Sequence, residues 1–180
     1  MLEFPAKKYK TIYADPPWPE HGGGKIKRGA DRHYQLMSIK DIIALPIASL
    51  ADPEGAHLYL WATNNYLPAA LDCIKTWGFQ YVTTITWMKD RIGLGQYFRG
   101  ITEHCLFAVT PNRLPYKTID GKRQQGVTGF YSPKQEHSRK PYAMREMIER
   151  VSYGPRIELF ARETFPGWDL WGNEAPVPAA

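Results

Sequence analysis

Short β-rich runs alternate with segments of helical period along most of this chain, and that alternation constrains its fold more than any other feature. Tyr9–Ala14 reads as a strand that stops abruptly at Asp15-Pro16-Pro17. Ser38–Leu45 has the marks of a short helix, with Ser38 as N-cap and Asp41 three residues on. His57–Ala62 is largely apolar and β-rich, as expected of a buried strand. Leu67–Trp77 places Leu67, Ala70, Leu71, Ile74 and Trp77 at helical spacing, and Gly78 stands ready to end it. Tyr81–Met88 and Glu103–Val109 read as strands, and Pro141–Val151 as a helix with Met144, Met147, Ile148 and Val151 on one face. Arg156–Ala161 is the last clear strand. Strands alternating with helices predict an α/β fold, a mostly parallel sheet flanked by helices, with ligands at the C-terminal ends of the strands.

A chain of 180 residues suits one domain, here 1–180. No apolar run approaches the roughly 20 residues needed to cross a bilayer, and three lysines within Met1–Lys10 precede no apolar stretch. The expectation is a cytoplasmic protein without a secretory signal. Cys73 and Cys105 belong to no Cys-x-x-Cys pair, so neither a disulfide framework nor zinc is expected. His104 adjoins Cys105, but neighbours in a strand point to opposite faces; no metal site is predicted. Three segments read as loops: Gly22–Arg32, Lys89–Thr102 and Pro111–Arg139. The tail 175–180 is expected to be disordered.

The formal charge of +5 permits a polyanionic partner without demanding one. Lys25, Lys27 and Arg28, followed by Arg32 and His33, form one basic cluster; a second spreads over Arg113, Lys117, Lys122, Arg123, Lys134, Arg139 and Lys140. Phosphate contact and a plain solvated surface both remain open for each.

Asp15-Pro16-Pro17-Trp18, directly after a strand, carries the most chemical information. Two prolines remove two backbone N–H groups. The turn then offers acceptors, the Asp15 carboxylate and the Pro16 carbonyl, beside the flat ring of Trp18. Such a set suits an exocyclic amino group on a planar base, adenine N6 for example. Two accepted hydrogens would orient the nitrogen, and the carboxylate would oppose the positive charge that grows there as it attacks an electrophile. Trp18 is expected to stack on the base.

At this motif the chain resembles the MT-A70 family of adenine-N6 methyltransferases. The likeness continues through His33-Tyr34, Met37-Ser38, Leu58-Tyr59-Leu60-Trp61, Trp77-Gly78-Phe79, and Trp87 with Lys89. It extends to Glu103-His104-Cys105-Leu106, His137-Ser138-Arg139-Lys140-Pro141, Ile157-Glu158-Leu159-Phe160-Ala161-Arg162, Gly167-Trp168-Asp169 and Trp171-Gly172-Asn173-Glu174. The arrangement is more similar to the compact bacterial and phage members than to the large eukaryotic RNA enzymes.

The resemblance implies a Rossmann-like methyltransferase fold, S-adenosylmethionine as cofactor and nucleic acid as partner, with no membrane or metal. Asp15, Pro16, Pro17 and Trp18 become the catalytic motif. By position, Asp15, Lys140, Glu158, Arg162 and Asn173 become cofactor-binding residues. Lys140 and Arg162 suit the methionine carboxylate or the ribose side, Glu158 the ribose hydroxyls, and Asn173 the ribose or adenine. Glu158 in an apolar strand would be costly if buried without partners. Tyr34 and Asn64 join Trp18, Lys25, Lys27 and Arg28 as expected substrate-binding residues. Lys89, at a strand end, is expected to snorkel to solvent.

The family resemblance predicts a site-specific DNA adenine-N6 methyltransferase acting on a flipped or unpaired base. With no room for a separate recognition domain, its specificity should be short or relaxed, and the three loops should clamp the strand. RNA methylation, a catalytically silent partner of an active paralogue, and a homodimer all remain open.

Overall fold

A computed structural model describes residues 3–19, 36–93, 95, 97–134, 139–173 and 175. The strands are β1 (Thr11–Ala14), β2 (His57–Ala62), β3 (Gln80–Met88), β4 (Thr102–Val109), β5 (Thr118–Ile119), β6 (Lys122–Arg123), β7 (Gly129–Tyr131), β8 (Arg156–Leu159) and β9 (Trp168–Trp171). The α-helices are α1 (Ile39–Ile43), α2 (Leu67–Thr76) and α3 (Tyr142–Val151). A seven-stranded sheet runs in the order β7-β3-β4-β2-β1-β8-β9. β1 pairs in parallel with β2 and β8, β8 with β9, and β3 with β7, whereas β4 runs against both its neighbours. The result is the mostly parallel α/β sheet expected of a Rossmann-like fold, with one reversed strand inserted beside β2.

Local sequence explains how the helices begin and end. Ser38 caps α1: its Oγ accepts from Asp41 N at 3.1 Å and donates to the Asp41 carboxylate at 2.7 Å. α2 closes at Gly78, whose φ of +77° lets Phe79 N–H turn back to the Ile74 carbonyl at 3.0 Å. α3 starts behind Pro141, which donates no backbone N–H and so costs nothing at this position.

The sheet is buried on both faces. Ile12, Ala14, Leu58, Leu60, Ile157 and Leu159 pack with Ile42 of α1 and with Ala70, Cys73 and Ile74 of α2. Alternate residues Tyr13, Tyr59, Trp61, Trp87 and Cys105 pack with Met144, Met147 and Ile148 of α3. The chain leaves β1 toward β2 on one side, while β8 occupies the other. The crevice beyond Ala14 and Leu159, which face each other in register, is therefore a topological switch point.

Two expectations change. Arg156–Leu159 is followed by a further strand, β9, whose four residues are too few for a sequence period to register. The 111–139 segment is not irregular throughout: it holds the β5–β6 hairpin and β7, which extends the sheet beside β3. The 22–32 loop lies outside the described residues, as does most of the 175–180 tail.

Candidate active site

The turn after β1 is held by its own backbone. Trp18 N–H donates to the Pro16 carbonyl at 2.8 Å, and Met37 N–H to the Pro17 carbonyl at 3.0 Å. The expectation of donor-free acceptors is corrected for Pro16, whose carbonyl spends one lone pair on this turn and keeps the second. Trp18 is packed inward. The ring is buried at 5% exposure, stacks on Tyr66 with centroids 5.4 Å apart, and donates Nε1–H to the Trp61 carbonyl at 2.9 Å. A large apolar ring with an N–H gains more from the core, where a carbonyl satisfies it, than from water. Tyr66 completes the brace by donating to the Pro19 carbonyl at 2.7 Å. In this structure Trp18 shapes the turn, and Asp15 alone of the four presents a charged group at the cleft.

Lys140, just before α3, reaches Asp15 with Nζ 2.7 Å from Oδ2. It also stands 3.4 Å from Glu103 Oε2 and 5.4 Å from the centre of the Trp61 ring. Glu103 is paired on its other oxygen with Lys89. Because β4 is reversed, Glu103 near its N-terminus lies at the same edge of the sheet as the C-terminal ends of β1, β2 and β3. Burial pushes the Glu103 carboxyl up, but Lys140 and Lys89 outweigh it and hold the group below the usual carboxylate range. The prediction for Lys89 is thus overturned: its side chain is 15% exposed, ion-paired and 4.9 Å from the Trp87 ring centre. A carboxylate buried here without a cation would be left uncompensated, and Lys89 supplies one.

Beside this chain of charges lies a cleft of about 250 Å³ lined by Asp15, Arg139, Lys140, Tyr142, Arg145, Glu158, Phe160, Arg162, Glu163 and Phe165. Of the residues expected to bind cofactor, Asp15, Lys140, Glu158 and Arg162 meet here. Asn173 does not line the cleft; it is exposed after β9. Asn64 is also outside, its Oδ1 2.8 Å from His104 Nε2 and its Nδ2 donating to Thr102 Oγ1 at 3.3 Å. Tyr34, Lys25, Lys27 and Arg28 fall outside the described residues.

Sequence reasoning missed Arg145. Its guanidinium donates to Glu158 Oε2 at 2.6 Å and lies 3.4 Å from the Phe165 ring centre and 5.0 Å from that of Trp168. Burial raises the Glu158 carboxyl above its ordinary value, Arg145 opposes the rise, and Asp15 and Glu163 add to it. Arg145 directly follows the buried Met144 on α3, so its neighbourhood with the core face was the available signal. Arg139 pairs with Glu163, which also accepts from Tyr142 OH at 3.4 Å.

The floor of the cleft is built from strained backbone. Phe160, just past β8, has φ +62°, a left-handed value that a bulky residue adopts only when its surroundings impose it. Gly172 supplies the room: a Cβ there would stand 2.9 Å from Phe160 Cα and 3.2 Å from Ala161 N. The Phe160 ring meets Trp171 edge-on at 5.5 Å.

Among the described residues, no group of three or more His, Cys, Asp and Glu side chains could hold a metal ion, and no helix is long and apolar enough to cross a membrane.

The MT-A70 family model matches residues 9–174. Type II methyltransferase M.MunI of Mycoplasma sp is 30% identical across 97% of this chain and 81% of its own length. The N(6)-adenosine-methyltransferase MT-A70-like protein of Drosophila melanogaster is 30% identical across 93% of the chain but 27% of its own length. The N(6)-adenosine-methyltransferase catalytic subunit METTL3 of Homo sapiens is 29% identical across 93% of the chain and 28% of its own length.

Proposed function

Because this chain belongs to the MT-A70 family of adenine-N6 methyltransferases, we propose that it methylates the N6 amino group of adenine in DNA, using S-adenosylmethionine. The observation that carries this reading is the Asp15 carboxylate, at the switch point of the sheet, opening into a cleft lined by both cations and carboxylates. Methyltransferases of this family use S-adenosylmethionine, and the side chains of the cleft fit it. Lys140 and Arg162 supply cations for an amino-acid carboxylate, and Glu158 an acceptor for ribose hydroxyls. When bound, that cofactor supplies a methyl group activated by sulfonium.

The remaining work belongs to the protein. Asp15 accepts one N6 hydrogen, and the free lone pair of the Pro16 carbonyl accepts the other. Both orient the nitrogen, and the carboxylate offsets the positive charge that develops on it. Lys140 fixes Asp15 at 2.7 Å and is itself steadied by Glu103, so the carboxylate is preorganised before substrate arrives. DNA is favoured over RNA because the match to a type II methyltransferase spans 81% of that protein, against about a quarter of the N(6)-adenosine enzymes. The target adenine is met unpaired or flipped, since pairing occupies N6.

The test is transfer of labelled methyl groups to unmethylated duplex DNA, single-stranded DNA and RNA, with product nucleosides identified by mass spectrometry. N6-methyladenine in DNA, lost in Asp15→Ala, is the expected result. Product in RNA alone would replace DNA as the substrate. Cofactor binding without product from any polymer would point to a missing partner subunit, and the absence of both product and cofactor binding to a catalytically silent partner of an active paralogue.

A further inference from the structure

Beyond the sheet, β3 and β4 continue as a built projection. Lys89 N–H donates to the Ile101 carbonyl at 2.8 Å, Gly93 N–H to the Gly100 carbonyl at 2.7 Å, and Arg99 Nε–H to the Gly93 carbonyl at 3.0 Å. Its apex requires glycine: Gly95 has φ +156°, and a Cβ there would fall 2.0 Å from the Phe98 carbonyl oxygen. This turn holds Tyr97 and Phe98 in solvent, each 93% exposed. Two adjacent aromatic rings left in water on a hydrogen-bonded turn forgo the burial that a loop of other sequence would never need, which is the mark of a surface awaiting a partner.

Charge and position select the partner. Arg91 and Arg99 are exposed on the same projection. Asp90 Oδ1 accepts from Lys134 N–H at 2.7 Å, which brings Lys134 and the exposed Tyr131 of β7 alongside. Aromatic rings interleaved with cations match a strand of unpaired nucleotides, which offers flat bases and phosphates in alternation. The root of the projection is Lys89 and Glu103, which connect through Lys140 to Asp15. The projection thus rises from the edge of the sheet where the target base is to be held.

We propose that Tyr97 and Phe98 stack on unpaired nucleotides flanking the target adenine, with Arg91 and Arg99 contacting their phosphates. This rests on the nucleic-acid reading above and adds to it which residues hold the strand outside the base pocket. Stacking on an aromatic ring tightens binding by roughly 5- to 140-fold per base.

The experiment compares the wild-type protein with Tyr97→Ala/Phe98→Ala and with Tyr97→Trp/Phe98→Trp. It measures Kd for a fluorescein-labelled single-stranded oligonucleotide, KM and kcat for methyl transfer, Kd for S-adenosylmethionine, and sedimentation. Oligonucleotides carrying 2-aminopurine at each position around the target report stacking directly. The alanine pair should raise oligonucleotide Kd and KM at least tenfold with kcat and cofactor Kd unchanged. It should also abolish the quenching of a flanking 2-aminopurine, and the tryptophan pair should restore it. Unchanged Kd, KM and quenching, with wild type still binding and methylating the strand, overturns this inference and leaves the proposed function standing. A change of oligomeric state with unchanged oligonucleotide Kd overturns it in favour of a protein interface. Wild type that binds cofactor but neither binds nor methylates any strand overturns both.

Discussion

Replacing Arg145 with Met should expose how the cleft accommodates a carboxyl group inside the protein. Arg145 and Glu158 meet at 2.6 Å with side chains only 13% and 15% exposed. Removing one partner of a buried pair costs about 3–5 kcal/mol, because the other charge is left without compensation. The pair borders a solvent-reaching cleft, which puts the expected loss near the low end, about 3 kcal/mol. The cation's contact with Phe165 adds up to about 1 kcal/mol, part of which the methionine stem restores by packing. Arg145→Met/Glu158→Gln, which removes both charges, should regain most of the loss.

The pH dependence carries a second signature of the same pair. The folded carboxyl of Glu158 already sits above its ordinary value through burial, and losing Arg145 raises it further. A group whose folded pKa exceeds its unfolded one costs stability above the folded pKa, and the cost disappears as pH falls toward the unfolded value. The deficit of Arg145→Met should therefore shrink as pH falls toward the ordinary carboxylate range. Urea unfolding followed by tryptophan fluorescence measures both effects. A deficit below about 1 kcal/mol that does not vary with pH would refute the reasoning.

Other substitutions probe the rest of the site. Trp18→Phe removes the Nε1–H bond to Trp61 and should cost about 1 kcal/mol by thermal unfolding, with KM for nucleic acid nearly unchanged, because the ring braces the turn from within. Gly172→Ala presses a methyl group into the Phe160 backbone and should destabilise by about 1–3 kcal/mol while raising cofactor Kd in titration calorimetry. Lys89→Met leaves Glu103 with Lys140 alone. The lowered carboxyl of Glu103 contributes stability above its unfolded pKa that is lost as pH falls through the folded one; with less lowering, acid unfolding followed by circular dichroism should begin at higher pH. Burial pushes the Cys73 thiol up to about 12 and the Cys105 thiol up as well, so a thiol-specific dye at about pH 8 should label neither until denaturant is added.

The local pattern of the sequence was enough to set most of the secondary structure. β-branched and aromatic runs, helical spacing, the Ser38 cap and the Gly78 stop act within a turn or two, so they are legible without a fold. The same holds for Asp15 at the end of the first strand, since a strand's C-terminal end in an α/β sheet is where ligands bind. Tertiary structure alone decided what those residues meet. The reversed insertion of β4 brings Glu103 to the edge of the sheet that carries Asp15, and no local period encodes strand order. The partners of Lys89 and Arg145 are supplied by other elements, so no local pattern shows them, and a cation's role depends on what lies within a few ångströms of its tip. Trp18 shows the limit from the other side. Its ring suits a base and the core equally well, and only the tertiary structure shows it stacked on Tyr66 with its N–H on the Trp61 carbonyl.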